Sequence, residues 1–597
     1  DCRIPMETSK LLDRIFPPFG DVVREKPRDM LFIADERPDM MTTMVAGTQH
    51  VLIILMLTVY VVFVGREIGF TGNQLRSFVS IEIVVVGIAT LLQSLKTRFS
   101  SGHLMIHAPN LMSIAALGAV VWNFGMGAAA GAYILSGIIV IVLARFLPRL
   151  QKLFPPEVTG ILLVLLGLTL VKGGAAGFTG FRDGTIDWVA FFIACAALGT
   201  IVVFSVWTSE KIRVFAVAFG IAAGIAAAAI TGVFGAEQMK LVAGQPFVAL
   251  PFESYDLPRP TLVFGAVLPL LVIEIISAVG SIGKGVAIDK LNNAKWKRSD
   301  LPMIGRLVMC QGIGVLLNGL TGTPSTVTNS ANIGLAHSTG VTARRVGTAA
   351  GLLFILAACL PMISTFITII PRPVMGAIIV YTAGFLMVAG MQMILSRMIN
   401  NRRMFMVGLS ITVGAAILLM PELTSTVPTQ LKPILGSGLT MGILTAVILN
   451  LIFRIGIAKS EETTLAGPEE SSKGIRFLED CGVSWGARHD VIARAGESLM
   501  EALEALHEAK LMDGPATFKA TFDEYKVALA LDYPGRGITL SGKQNLDLKQ
   551  LMAGGANDEA IDAAMSNMSA HLLQRLADRV NSDEAGGRAT LHLEFNH

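Results

Sequence analysis

The chain has 597 residues, 52% of them hydrophobic and only 16% charged, with a formal net charge of +3 and a mean hydropathy of +0.61. A soluble domain carries roughly a quarter of its residues as Asp, Glu, Lys or Arg, so this composition excludes an ordinary globular protein and points to a polytopic membrane protein. The five cysteines (Cys2, Cys195, Cys310, Cys359 and Cys481) are scattered without metal-ligand spacing or a disulfide framework, so neither metal nor cofactor is expected.

The chain opens with a polar, basic, proline-containing leader over residues 1–43, so no cleavable signal is expected; Met30–Ile33 reads as a short interfacial piece. Apolar runs of bilayer-spanning length then follow near 44–64, 78–97, 103–120, 128–147, 157–173, 187–206 and 213–234. A second series lies near 261–283, 303–319, 326–338, 346–367, 374–394, 404–421 and 435–456, which makes fourteen. Alternate connections are basic, among them Arg145/Arg149/Lys152, Lys284/Lys290/Lys295/Lys297/Arg298 and Arg397/Arg402/Arg403. That bias predicts an even number of crossings with both termini cytoplasmic, and the expected location is the cell (inner) membrane.

Seven crossings followed by seven place the two series in opposite orientation, the arrangement of an inverted-repeat transporter. Two segments are too polar to span lipid as plain helices. One is the third, over 100–113; the other is the tenth, within 319–344, rich in hydroxyls, amides and glycines with Pro324 near its start. Lipid satisfies no free backbone N–H or C=O, so such stretches belong in protein or along a wet cavity. The tenth reads as an extended piece up to about Thr328 followed by a half-helix, whose N-terminus presents N–H groups and a positive dipole end to a polar or anionic solute. Beyond an acidic linker over 459–473, residues 474–597 read as a small soluble α+β domain, with helices over Val491–Ala509 and Asp558–Val580 and strands over Thr517–Phe522, Lys526–Asp532 and Ala589–Phe595.

Glu274, in the middle of an apolar crossing, is the leading candidate for substrate binding and for proton coupling, against the alternative of a structural carboxyl bonded to a neighbouring helix. Ser277 lies one turn on. In the tenth segment Asn332 offers an amide edge matching a heterocycle, Gly334 admits close approach, and Ser330 adds a hydroxyl. His103 in the third segment can titrate or bind. The chain carries no phosphate-binding Gly-Lys-Ser/Thr loop and no enzyme signature. In the tail, Asp532-Tyr-Pro-Gly-Arg-Gly537 is a weak match to the acidic, glycine-rich box of histidine-kinase-type ATPases, equally explained as a turn after a strand.

Ala331-Asn332-Ile-Gly334-Leu-Ala-His-Ser-Thr339-Gly340 resembles the second-half signature of the nucleobase–ascorbate transporter family, the uracil/xanthine permeases. Gln49-His50, Phe154-Pro-Pro-Glu-Val-Thr-Gly160 and Pro371-Arg-Pro-Val-Met-Gly376 resemble further family motifs, and the likeness covers about residues 43–458. It implies fourteen segments divided into a core (about 44–147 and 261–367) and a gate (about 157–234 and 374–456). The substrate would lie between the third and tenth segments, carried by proton-coupled, elevator-type movement in a homodimer. It also brings Gln49, Leu104 and Ala331 into the expected site, the last two standing where the family places an aromatic and a Gln/Glu; Ser277 stands where it places an acid. The expected function is a proton symporter for a purine, xanthine/urate or uracil, with no nucleic-acid partner. The alternatives are an anion carrier on the same scaffold or a ligand sensor signalling through residues 474–597.

Overall fold

The computed structural model describes residues 24–146, 155–182, 184–213, 215–294, 296, 300–395, 401–428, 435–453, 459–485, 487, 489–508, 511–523, 526–538, 573 and 576–596. The leader before residue 24, Arg149, Lys152, Phe154, Lys295, Lys297, Arg298, Arg397 and most of the helix expected over 558–580 lie outside the described residues. The chain divides into two compact units, Asp1–Asn450 and Leu451–His597.

The first unit is helical. Its elements are α1 (Met40–Leu57), α2 (Val59–Glu67), α3 (Gly72–Ser94), β1 (His107–Pro109), α4 (Leu111–Phe124), α5 (Met126–Leu143), α6 (Pro156–Thr179), α7 (Trp188–Trp207), α8 (Ala216–Ile230) and α9 (Ala236–Ala243). There follow α10 (Phe264–Leu291), α11 (Leu301–Thr321), β2 (Thr326–Thr328), α12 (Ser330–Thr339), α13 (Arg344–Ala358), α14 (Pro361–Thr368), α15 (Arg372–Ile394), α16 (Asn401–Leu419) and α17 (Gly438–Phe453). Among the described residues nine helices are long and apolar enough to cross a membrane, or ten if the bent pair α13–α14 counts as one span. The helices α4, α8 and α17 are apolar but shorter. In the 20-residue α7, Trp188 and Trp207 stand at the two ends, 71% and 73% exposed. About 30 Å of helix between two exposed indoles matches a bilayer's apolar thickness with an aromatic at each interface.

The run expected over 346–367 is not one straight helix. It bends by 77° between α13 and α14, because Pro361 pushes the residue before it out of the helical region and Leu360 sits at φ −105°, ψ 92°. The eighth run is longer than expected: α10 continues to Leu291, so Lys284 and Lys290, read from hydropathy as loop residues, are helical.

The helices pack in two sets. In one, α5 lies on α11 and α10, while α3 lies on α13 and α11. In the other, α15 lies on α6 and α7, α8 packs on α7, and α16 packs on α6. Two contacts in the first set are glycine to glycine. A Cβ at Gly137 of α5 would lie 2.8 Å from the Gly312 carbonyl oxygen of α11, and one at Gly351 of α13 would lie 2.9 Å from the Gly87 carbonyl oxygen of α3. Backbones approach this closely only where neither residue has a side chain.

Residues 30–34 are pinned into the protein and are not a free interfacial segment. Met30, Ile33 and Ala34 are buried. Leu31 N–H donates to the Gly340 carbonyl (2.7 Å), and Thr342 and Arg344 N–H donate to the carbonyls of Phe32 (2.8 Å) and Ala34 (3.1 Å). Asp35 pairs with Arg24 at 2.8 Å and also with Arg344. Asn292, fully buried just past the end of α10, accepts from Ala34 N–H (2.7 Å) and Thr342 Oγ1 (2.8 Å). Removing that acceptor leaves a buried N–H unsatisfied, which costs about 1–3 kcal/mol. Asn292→Ala is therefore expected to lower the melting temperature and to expose the 24–38 segment to limited proteolysis in detergent; unchanged cleavage there would show that Asn292 does not hold it.

The second unit is α+β. Strands β3 (Lys459–Leu465), β4 (Ala516–Phe522), β5 (Lys526–Pro534), β6 (Arg579–Ala585) and β7 (Arg588–Asn596) form one antiparallel sheet in the order β3-β4-β5-β7-β6. Helices α18 (Ser471–Trp485) and α19 (His489–Glu508) share its apolar core, with Leu478, Leu499, Leu503, Phe518, Leu529, Leu591 and Phe595. Along β5 every second residue is buried, the signature of a sheet covered on one face. Residues 459–465, expected within a linker, form one of the two edge strands, and neither α18 nor β6 is among the elements expected from the sequence. Asp532 of the glycine-rich box is paired across the sheet to Arg588 (2.9 Å), which gives the box a strand-pairing role.

Candidate functional site

The site is built on a two-stranded ribbon inside the first unit. β1 and β2 pair antiparallel with His107 opposite Thr328, Ala108 opposite Val327 and Pro109 opposite Thr326. The ladder extends one residue at each end: Asn110 N–H donates to the Ser325 carbonyl (2.7 Å) and Asn329 N–H to the Ile106 carbonyl (2.8 Å). Local sequence explains the extended backbone. Ala108 precedes a proline, which disfavours helix, and Thr326-Val327-Thr328 is a β-branched run. Each strand then turns directly into a helix capped by asparagine. Asn110 Oδ1 accepts from Met112 N–H (3.1 Å) at the start of α4, and Asn329 Oδ1 accepts from Ala331 N–H (3.0 Å) at the start of α12. Two helix N-termini thus begin at the ribbon, one from each strand.

One face of α10 runs along β2. Glu274, Ser277, Ser281 and Lys284 recur at helical spacing. The buried Glu274 carboxylate accepts from the Ser325 hydroxyl through Oε1, while Oε2 has no partner among the described residues. Ser277 accepts from Asn110 Nδ2 (2.9 Å). Ser281 lies 3.2 Å from Thr328 Oγ1 and donates to Gln311 Oε1 of α11 (2.6 Å). Lys284 Nζ donates to the Thr328 carbonyl (2.6 Å). From α11, Asn318 accepts from Thr326 N–H (3.0 Å) and donates to the buried Glu82 of α3 (2.9 Å). The ribbon is therefore gripped by side chains on α10 and α11, with hydroxyls, amides and two buried acids around it.

The expected residues fall into three groups. Glu274 and Ser277 meet at the ribbon. Ser330, Ala331 and Gly334 form the exposed stripe of α12, and a Cβ at Gly334 would meet nothing within 4 Å. The others are not at the junction. Asn332 is buried and turned toward α1, where its Nδ2 donates to His50 Nδ1 (2.8 Å) and to the His50 carbonyl (3.3 Å). Gln49, half-buried, is the neighbour of that histidine. His103 lies before β1 with Nδ1 3.0 Å from the Ser101 carbonyl, and Leu104 is buried against α13 near Gly347.

Sequence reasoning missed Asn110, Ser281, Lys284, Gln311 and Ser325. A signal existed for two kinds of them. Asn110 follows a proline and precedes an apolar run, as a helix N-cap does. Ser281 and Lys284 lie seven and ten residues after Glu274, on one face of any helix that continues.

Half-helices beginning inside the protein with a buried acid beside them make a candidate site of the kind membrane carriers use. A family model described as "Permease family" (the xanthine/uracil permeases) matches residues 41–423, and the chain belongs to this family of the nucleobase–ascorbate transporters. The protein is a multi-pass membrane transporter and not an enzyme. The uric acid permease PucJ of Bacillus subtilis (strain 168) is 29% identical over 68% of this chain and 91% of its own length. The xanthine permease of the same organism is 28% identical over 69% of this chain and 94% of its own length. The transmembrane domain of a cyanobacterium bicarbonate transporter, BicA, matches with a TM-score of 0.43 and 16% identity, covering 71% of this chain and 100% of that domain.

Proposed function

We propose that this protein is a secondary active transporter that couples uptake of an oxidised purine, xanthine or urate, to protons. Names of relatives similar over about nine-tenths of their own length support the substrate class. The observation that carries the mechanism is Glu274, a buried acid bonded to Ser325 on the ribbon by one oxygen while the other has no partner among the described residues. An acid so placed can take and release a proton as the helices around it change partners.

The same reading assigns fourteen crossings in two inverted sevens. The glycine contacts support it. α3 and α11 hold the second position of each seven and α5 and α13 the fourth, so α3 against α13 and α11 against α5 are one contact made twice. The ribbon pairs the third position with the tenth about its own centre. The set containing α3, α5, α10, α11 and α13 is the substrate-carrying core, the set containing α6, α7, α8, α15 and α16 the gate, and alternating access is movement of one past the other in a cell membrane with both termini in the cytoplasm.

Proteoliposomes holding the full chain test this. Labelled xanthine and urate are expected to accumulate when the outside is acidified and to leak away on adding a protonophore. Accumulation that survives the protonophore overturns the proton coupling; accumulation of bicarbonate or another small anion without either base overturns the substrate class.

A further inference from the structure

α10 carries a cation where hydropathy placed a loop. Lys284 uses one of its three N–H donors on the Thr328 carbonyl. None of the ion pairs among the described residues includes it. Thr328 is two residues before the first residue of α12, so the amine sits at the positive end of that helix. Two positive features beside each other repel, and an anion between them relieves both. A third donor is close: Asn329 Nδ2 is buried and has no partner among the described residues.

The surroundings are open. On α10, a Cβ at Gly280 or Gly283 would meet nothing within 4 Å, and the same holds for Gly334 on α12. With Ser330 and Ala331, these residues make bare, small-residue stripes on two helices that pack together, with Ile333, Ala278 and Ile282 in one buried cluster. Such stripes suit a cavity wall better than lipid. The acid is at the other end of the ribbon. Glu274 bonds to Ser325 before β2 and Lys284 to Thr328 at its end, separated by about 15 Å of α10.

We propose that Lys284, together with the N-terminal end of α12 and the Asn329 amide, is the specificity determinant that selects the mono-anionic form of a purine base. The inference rests on the nucleobase reading and narrows it: urate, an anion at neutral pH, is preferred over hypoxanthine, which is neutral there. Glu274 handles the proton and Lys284 the negative charge of the base, each at its own end of β2.

Calorimetric titration of the purified full-length protein with urate and with hypoxanthine at neutral pH tests this. The wild type is expected to bind urate at least about tenfold more tightly, since one charge-assisted hydrogen bond is worth roughly that or more. Lys284→Gln is expected to weaken urate binding by about 10- to 100-fold and to leave hypoxanthine within about twofold, while Lys284→Arg keeps most of the preference. Equal weakening of both bases overturns the inference, because Lys284 then only props up β2; unchanged urate binding overturns it too. Should Lys284→Gln not fold, the wild-type preference decides, and hypoxanthine bound as tightly as urate defeats the proposal while the nucleobase reading stands. A wild type that binds neither base overturns both.

Discussion

Glu274→Gln is expected to give a protein that folds and still exchanges its base across the membrane but cannot concentrate it. Glutamine keeps the volume of the side chain and an acceptor for the Ser325 hydroxyl, so the bond tying α10 to the ribbon survives. What it removes is the titratable oxygen, and that atom makes no hydrogen bond among the described residues. The accumulation ratio in proteoliposomes under an imposed pH gradient, with the membrane potential clamped at zero, should therefore fall to about one, the value for zero coupling free energy, while counterflow from preloaded vesicles continues. Glu274→Ala is the less informative change. It leaves the Ser325 hydroxyl without its acceptor at a buried site, at a cost of about 1–3 kcal/mol, and would confuse lost coupling with lost folding. Uphill accumulation persisting in Glu274→Gln would make Glu274 a structural residue. Glu82, bonded to Asn318 behind the ribbon with Oε1 unpartnered among the described residues, would then be the next acid to test.

The extended piece of the tenth segment and the half-helix after it were legible because their chemistry is local, whereas the pairing of that piece with β1 was not. Proline, β-branched residues and a capping asparagine dictate extended backbone and then helix whatever surrounds them, and Thr326-Val327-Thr328-Asn329 carries all but the proline, which stands two residues earlier as Pro324. The partners of the side chains were not legible, since they come from helices far away in sequence. Asn332 has the right chemistry for a ligand and spends it on His50, 282 residues earlier. Lys284 was lost for another reason: the apolar run reads as ending at Gly283, whereas α10 continues for about two more turns to Leu291 before Asn292 caps it. In the second unit, the strands with one buried face were readable by alternation. β3 and β6 were not, because most of their residues are exposed and they offer no apolar period to read.

Gly351→Leu is expected to be among the most damaging single substitutions in the first unit. A Cβ there would sit 2.9 Å from the Gly87 carbonyl oxygen, 2.9 Å from Leu91 N and 2.9 Å from Leu91 Cβ. Two of those three atoms belong to the α3 backbone, which cannot rotate aside. Alanine would offset part of the clash with about 1 kcal/mol of helix propensity. Leucine adds a branched end with nowhere to go, and overpacking of this kind costs about 1–3 kcal/mol or more. The expected result is a lower melting temperature in detergent and less monodisperse protein by size exclusion. Gly199→Leu in α7 is the control: its Cβ meets nothing within 4 Å, so the same change should be neutral or slightly stabilising. If the inverted repeat is real, Gly312→Leu, whose Cβ would lie 3.0 Å from the Gly137 carbonyl oxygen, must fail as Gly351→Leu does. A stable Gly351→Leu protein would mean that α3 and α13 stand farther apart than this; a stable Gly312→Leu beside an unstable Gly351→Leu would mean that the two contacts are not one contact made twice.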